Sequence, residues 1–218
     1  MKTLNSYITE KFQVSKDHIR GYKYYPETSR ELIECIRDKI EKEGLGTKDK
    51  PLDLNDIDTS EITNMKNLFN RNNILYGLSV NGYFDISDWD VSNVEDMSYI
   101  FLGSSFDGDI SGWDVSKVKN MQGMFEESKF TGKNGDIGKW KVNNVENMHT
   151  MFCKSWFEGK ISKWNVGNVI NMYAMFFDCY NFNDDINNWH TDKVKNMSYM
   201  FFNTALDKNK NLPESYHE

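Results

Sequence analysis

The chain has no excess of basic charge, no long apolar run, few cysteines and no assembled catalytic motif, and each shortage excludes something. With 26 Lys and Arg against 33 Asp and Glu, the formal net charge is −7. That balance argues against nonspecific binding to phosphate backbones or anionic lipid, so nucleic acid is not an expected partner. No stretch approaches the roughly 18 to 20 apolar residues of a membrane-spanning helix. The opening MKTLNSYITEKFQVSKD carries no apolar run resembling a signal-peptide core. The expectation is a soluble chain that is neither inserted in a membrane nor exported by the usual route. Three cysteines, Cys35, Cys153 and Cys179, form no C-x-x-C pair and leave at least one unpaired, as in reduced, cytosolic proteins. No nucleophile with a neighbouring base, Gly-rich phosphate loop or metal-spaced cluster stands out, so neither an enzyme nor a cofactor is expected.

What the chain does have is repetition. WDVSNVEDMSYIF from Trp89 recurs as WDVSKVKNMQGMF from Trp113, WKVNNVENMHTMF from Trp140, WNVGNVINMYAMF from Trp164 and WHTDKVKNMSYMF from Trp189. A sixth, worn copy precedes them as IDTSEITNMKNLF, with Ile57 in place of tryptophan. The tryptophans are spaced by 24, 27, 24 and 25 residues, and the first copy lies 32 before the second because NNILYGLSVNGYF intervenes. A fixed period in this range marks a solenoid.

Within residues 109 to 130, Ile110, Trp113 and Val115 have the i, i+3, i+5 spacing of a leucine-rich-repeat strand and its approach. Val118, Met121, Met124 and Phe125 then recur at intervals of three and four, which predicts a short helical return. Phe130 closes the turn, as Phe106, Phe157 and Phe182 do elsewhere. Neither part buries its apolar side alone, so stacking of copies is required. The predicted fold is an α/β repeat solenoid, a leucine-rich-repeat-like stack of about six strand-plus-helical-turn repeats over residues 52–206. Ahead of it, residues 1–48 read as a small helical cap. Leu4, Tyr7, Ile8 and Phe12 suggest one helix, and Thr28-Ser29-Arg30-Glu31 begins a second with Leu32, Ile33, Ile36 and Ile40 on one face and Gly44 as its stop. Residues 207–218 are a C-terminal tail.

The pattern D-I-S-x-W-D-V-S-N-V-x-N-M-x-x-M-F resembles the BspA-like leucine-rich-repeat family of bacterial proteins, over about seventy per cent of the chain. Many relatives with such repeats are surface proteins involved in adhesion, and similar repeats occur in proteins of bacteriophages of gut bacteria. The opening MKTLNSYITEKF and the following YKYYPETSRELIECIRDKIEKEG resemble short leaders of such phage proteins. With no signal peptide or transmembrane segment in the sequence, the expectation is a cytoplasmic or phage-particle-associated protein. This chain departs from the surface members in lacking a signal peptide and anchor, so adhesion does not carry over. The family's motif residues are structural and imply no catalytic residue.

Leucine-rich repeats bind through variable residues on the exposed strand face. The column after the tryptophan position reads Asp58, Asp90, Asp114, Lys141, Asn165 and His190; the column before it reads Asp56, Asp88, Gly112, Lys139, Lys163 and Asn188. This face turns from acidic to basic, either as a docking surface or as the product of duplication and ordinary solubility. Another column, Asp53, Asp85, Asp109, Asp136 and Asp185, is broken by Lys160; such carboxylates either bind calcium or cap turns through their own backbone, and the lysine favours the caps. His149 and Cys153, four apart, read as a structural pair rather than metal ligands, since no second Cys or His completes a set. The stripe Met97, Met121, Met148, Met172 and Met197 reads as core, and Trp156 as either loop or exposed anchor. The expected function is a noncatalytic protein-binding module acting on a protein partner of unknown identity. The alternatives are a structural or decoration component of a phage particle or cell-surface assembly, and an enzyme or small-molecule binder using a pocket beside the cap.

Overall fold

The structure, a computed structural model, describes residues 21–208 together with Leu212, Pro213 and Tyr216. The expected first helix at Leu4–Phe12 lies outside the described residues. Most of the described backbone is irregular, with few and short regular elements around an extensive buried aromatic core. In chain order these are α1 (Ser29–Glu43), β1 (Leu52–Asp53), α2 (Tyr76–Asn81), β2 (Phe84–Asp85), a 3-10 turn (Ile137–Lys139) and α3 (Ala205–Lys208). No helix among the described residues is long and apolar enough to cross a membrane.

Helix α1 begins where its capping residues place it. Thr28 Oγ1 accepts the Glu31 amide at 3.2 Å, while the Glu31 carboxylate reaches the Glu27 amide at 3.0 Å. The reciprocal bond thus falls one residue earlier than in a standard capping box. Gly44, at φ 83°, ends the helix with its N–H on the Ile40 carbonyl. Leu32, Cys35 and Ile36 are fully buried in the same core as Leu54 and Ile57, with Ile33 and Ile40 packed at its edge. Polar contacts fix the helix on the first copy: Lys39 Nζ lies 2.7 Å from Asp56, and the Ser29 hydroxyl donates to the Asn64 carbonyl at 2.5 Å. The preceding segment joins too, through a parallel bridge between Tyr24 and Ile57. The insertion after the worn copy forms α2.

The first five copies bury the predicted layer, and the sixth buries it in part, with Thr191, Val194 and Met197 half-buried. Trp113, Val115, Val118, Met121, Met124 and Phe125 are all buried, as are their counterparts Trp89, Val91, Val94, Met97, Ile100 and Phe101. The first four methionines of the stripe are fully buried, and Met197, in the last copy, partly so. Phe69, Phe101, Phe125, Phe152, Phe176 and Phe201 stack face to face, with centroids 5.7, 5.5, 5.5, 5.6 and 5.8 Å apart. Trp113, Trp140, Trp164 and Trp189 stack beside them at 6.5, 6.4 and 6.4 Å. A buried indole N–H needs an acceptor. The five donate in turn to the carbonyls of Leu54, Ile86, Ile110, Ile137 and Ile161, each in the preceding copy.

The backbone that joins the copies is not where the sequence places a strand. The only paired strands among the described residues are the two-residue β1 and β2, parallel with Leu52 opposite Phe84. The ladder continues instead through isolated parallel bridges Asn64–Asp96–Asn120–Asn147–Asn171–Asn196. From each of these, alternate amides bond to the next copy: Met121, Gly123, Phe125 and Glu127 donate to the carbonyls of Asn147, His149, Met151 and Cys153 at 2.8–2.9 Å. The expected helical return over Val118–Phe125 is therefore a correction. It is a run of tight turns, closed by Met124 N–H to Met121 O and Ser128 N–H to Phe125 O. The third residues of these turns, Gly123 and Glu127, lie at φ 57° and 55°. A turn with positive φ at its third residue returns the chain every three residues, so it reproduces the apolar spacing of a helix. It leaves alternate amides pointing outward to the neighbour instead of back along the chain. Asn67, Tyr99, Thr150, Ala174 and Tyr199 hold the same left-handed position as Gly123 in the other copies.

Candidate functional site

The columns flanking the tryptophans form a face of turns rather than of strand. Asp58, Asp90 and Asp114 accept the amides of Ser60, Ser92 and Ser116 at 3.0 Å, and Asn165 accepts that of Gly167 at 3.2 Å. These are side-chain-to-backbone turn caps, so part of the acidity of this column has a local structural cause. The Asp114 carboxyl sits below its ordinary range because the Ser116 hydroxyl and amide both bond it, with Lys141 and Lys117 adding attraction. Asp56 is drawn out of the face: its carboxylate is held by Lys39 at 2.7 Å and Lys23 at 3.1 Å. Asp58 is half-buried beside Tyr24, whose carbonyl accepts its amide.

From the second copy onward the face is open. Asp88, Asp114, Lys139, Lys141, Lys163, Asn165 and His190 are exposed and Asp90 is half-exposed. Lys139, Lys141 and Lys163 enter no ion pair or side-chain hydrogen bond among the described residues. Some other surface lysines do, with Lys119 on Glu95 at 2.8 Å and Lys133 on Glu158 at 2.8 Å, whereas the side chains of Lys48, Lys66 and Lys154 also enter none among the described residues.

The unbroken members of the column Asp53, Asp85, Asp109, Asp136 and Asp185 each accept the amide two residues on, at 2.8–3.1 Å. Where Lys160 interrupts it, Asp184 of the next copy substitutes. Its carboxylate accepts the Ile161 and Ser162 amides at 2.7 and 2.8 Å and lies 3.3 Å from Lys160 Nζ. Among the described residues, no group of three or more His, Cys, Asp or Glu is placed to hold a metal. All three thiols are buried and pushed up to about 12, first by burial. Cys179 stands where other copies have Ser104, Ser128, Ser155 and Thr204, and it donates to the Phe157 carbonyl at 3.4 Å. A thiol so protonated is a poor nucleophile and a poor metal ligand.

A second face, along the turn ladder, was not singled out by sequence. It carries Tyr99, Gln122, Glu126, His149, Thr150, Tyr173 and Tyr199. Gln122 Nε2 donates to the Tyr99 hydroxyl, Thr150 donates to Glu126 at 3.0 Å, and His149, Tyr173 and Tyr199 meet edge to face at 5.2 and 5.8 Å. All but Glu126, which follows the phenylalanine, fill the variable positions of N-M-x-x-M-F, and that variability was the available signal. Burial raises the Glu126 carboxyl above its ordinary 4.5, against the Thr150 bond and with the Glu127 charge adding to the rise. The folded state then holds this proton more tightly than the unfolded state, so ionisation costs stability as pH rises past the ordinary value. The Glu126→Gln variant should accordingly melt above the parent at neutral pH, the gap closing below about pH 4. A lower melting point than the parent at pH 7 would contradict this assignment.

Trp156 is 56% exposed, with Lys129 Nζ 5.9 Å from its ring centre. A groove of about 370 Å³ between α1 and α2 is lined by Ile40, Leu45, Ile74, Leu75 and Leu78 with Glu34, Asp38 and Glu41. A family model described as "Mycoplasma protein of unknown function, DUF285" matches residues 44–152 and again 128–215. No curated protein and no solved structure matches the chain.

Proposed function

The chain belongs to the DUF285 family, and from that premise we propose that its copies build a leucine-rich-repeat solenoid of the BspA-like kind that serves as a noncatalytic protein-binding module. Six consecutive copies bonded in parallel register, the first five burying the same positions and the sixth burying them in part, support the solenoid. Helix α1 on the first copy supports residues 1–48 as its cap, since a terminal repeat otherwise exposes apolar surface. Binding is assigned to the face running from Asp88, Asp90 and Asp114 to Lys139, Lys141 and Lys163, extended by Asn165 and His190.

The observation that carries this reading is that three exposed lysines with no ion pair or side-chain hydrogen bond among the described residues, Lys139, Lys141 and Lys163, stand together beside two successive tryptophans. Like charges one copy apart repel by tenths of a kcal/mol, and an acidic surface on a protein partner would relieve that repulsion. Facing acidic and basic ends would also fix the partner's orientation, since charge complementarity governs encounter and register more than raw affinity.

The test uses a partner captured by the chain from its native host, with binding followed by surface plasmon resonance. Reversing Lys139, Lys141 and Lys163 to Glu should slow association about tenfold or more and flatten its salt dependence. The control reverses Lys48, Lys66 and Lys154, which are exposed and lie elsewhere, and has the same effect on net charge. Equal association rates for the two triple variants would reject this face.

A further inference from the structure

The ladder has two unlike ends. In every internal step, the amides of one copy find carbonyls of the next: Met172, Ala174, Phe176 and Asp178 donate to Asn196, Ser198, Met200 and Phe202 at 2.8–2.9 Å. Of the corresponding amides of the last copy, Met197, Tyr199 and Phe201 carry no hydrogen bond among the described residues, while that of Asn203 is taken by the Asp207 carboxylate at 3.0 Å. The carbonyls between them are turned into the copy's own turns, with Met197, Tyr199 and Phe201 O accepting the amides of Met200, Phe202 and Thr204. The edge therefore displays donors and withholds acceptors. Beside it, Tyr199 and Phe202 are 56% and 52% exposed, whereas their partners one copy back, Tyr173 and Phe177, are half-buried against them.

We infer that this edge is a second interaction surface, which binds an extended segment of a partner protein in parallel register, with its carbonyls on the Met197–Phe201 amides. Unpaired edges are templates for strand addition, and peptide recognition by that route takes affinity from the backbone and specificity from flanking side chains. Aromatic or long apolar side chains on the segment would cover Tyr199 and Phe202.

Two other occupants fit the chemistry less well. A second copy docking tail to tail would set donors against donors. A second copy docking by its head meets a carbonyl row largely used already: Asn64 O takes the Ser29 hydroxyl, Leu68 O takes Asn73 Nδ2, and Asn70 O takes the Asn73 amide. The apolar end of the last copy is also closed. Tyr216 meets Phe201 edge to face at 5.1 Å, Pro213 is buried, and the space left there is only about 10 Å³. A segment read by its backbone fits; a further core layer does not. The surface is separate from the charged face, so either assignment can fail without the other.

The test uses the full chain and, as probe, a fluorescein-labelled synthetic peptide with the sequence of residues 195–203, KNMSYMFFN, which presents carbonyls as the sixth copy presents them to the fifth. In the free chain, amide hydrogen exchange at Met197 and Tyr199 should lie within about tenfold of unprotected rates, while Met172 and Ala174 exchange far more slowly. Saturating peptide should slow Met197 and Tyr199 by about tenfold or more, and a scrambled peptide should not. Met197→Pro removes one donor and should weaken peptide binding about tenfold, whereas Met197→Ala, which keeps it, should stay within about threefold. Tryptophan fluorescence and melting temperature identify a proline variant that has lost its fold, in which case the exchange arm alone decides. Protection of Met197 and Tyr199 in the free chain overturns the inference, in favour of a second copy if sedimentation shows a dimer and of the chain's own tail if it shows a monomer. Absence of peptide binding, or equal weakening by both Met197 variants, also overturns it.

Discussion

Phe152→Ala is expected to lower the unfolding free energy by about 4 kcal/mol, the usual cost of emptying a phenylalanine site that cannot collapse. Its ring stacks on Phe125 and Phe176 at 5.5 and 5.6 Å, on Phe157 at 4.1 Å, and lies 6.3 Å from Trp164. Three copies meet at that ring, and their backbones are fixed to one another by ladder hydrogen bonds on both sides. The cavity therefore has little means of closing. Phe202→Ala is the comparison, because its ring is half-exposed and stacks on one neighbour, Phe177, at 5.0 Å. That variant should lose under about 1 kcal/mol. Urea titration followed by tryptophan fluorescence measures both. Similar losses from the two variants would mean that the phenylalanine column does not carry the core.

Asp184→Ala is expected to cost about 3 kcal/mol, the range for charge-assisted hydrogen bonds lost from buried donors. The carboxylate is almost fully buried, holds the Ile161 and Ser162 amides, and stands near Lys160. Other copies cap this turn with their own aspartate, at the position that Lys160 occupies. A second substitution, Lys160→Asp, should then restore more than half of the loss, since it supplies the local cap and removes the cation left without its partner. In the parent background the same Lys160→Asp change should destabilise, because it places a second carboxylate against Asp184. The sign reversal between backgrounds is the decisive result. If Lys160→Asp has the same effect in both, the two residues are not exchanging one role.

Much of the core was legible because it is written several times. One buried tryptophan is a guess, but five at matching positions, each followed by valine, methionine and phenylalanine at fixed offsets, define a layer. The turn-capping aspartates were legible for a related reason: the carboxylate and the amide it accepts lie two residues apart, so the interaction is local. Lys160 looked like a break in that column. Its replacement cap comes from 24 residues downstream, and no local pattern announces it.

The ladder was misplaced for a different reason. Apolar residues at intervals of three and four are produced by a helix and by successive three-residue turns alike, and periodicity carries no record of the sign of φ. Glycine would have signalled the left-handed positions, but only Gly123 and Gly103 do so among the copies, and Asn67, Tyr99, Thr150, Ala174 and Tyr199 hold the first of these positions elsewhere. The inter-copy hydrogen bonds repay the conformational cost at those residues.

The sequence by itself determined which side chains are buried and how many copies there are, because burial follows apolar character at a repeated register. Only the tertiary structure decided which backbone segment bonds one copy to the next, which charges are already satisfied, as Asp56 is by Lys39 and Lys23, and which ladder amides have no partner among the described residues. Those outcomes depend on contacts between residues 17 or more positions apart, and hydrogen bonds and ion pairs, unlike burial, are specific to the partner that the fold brings within reach.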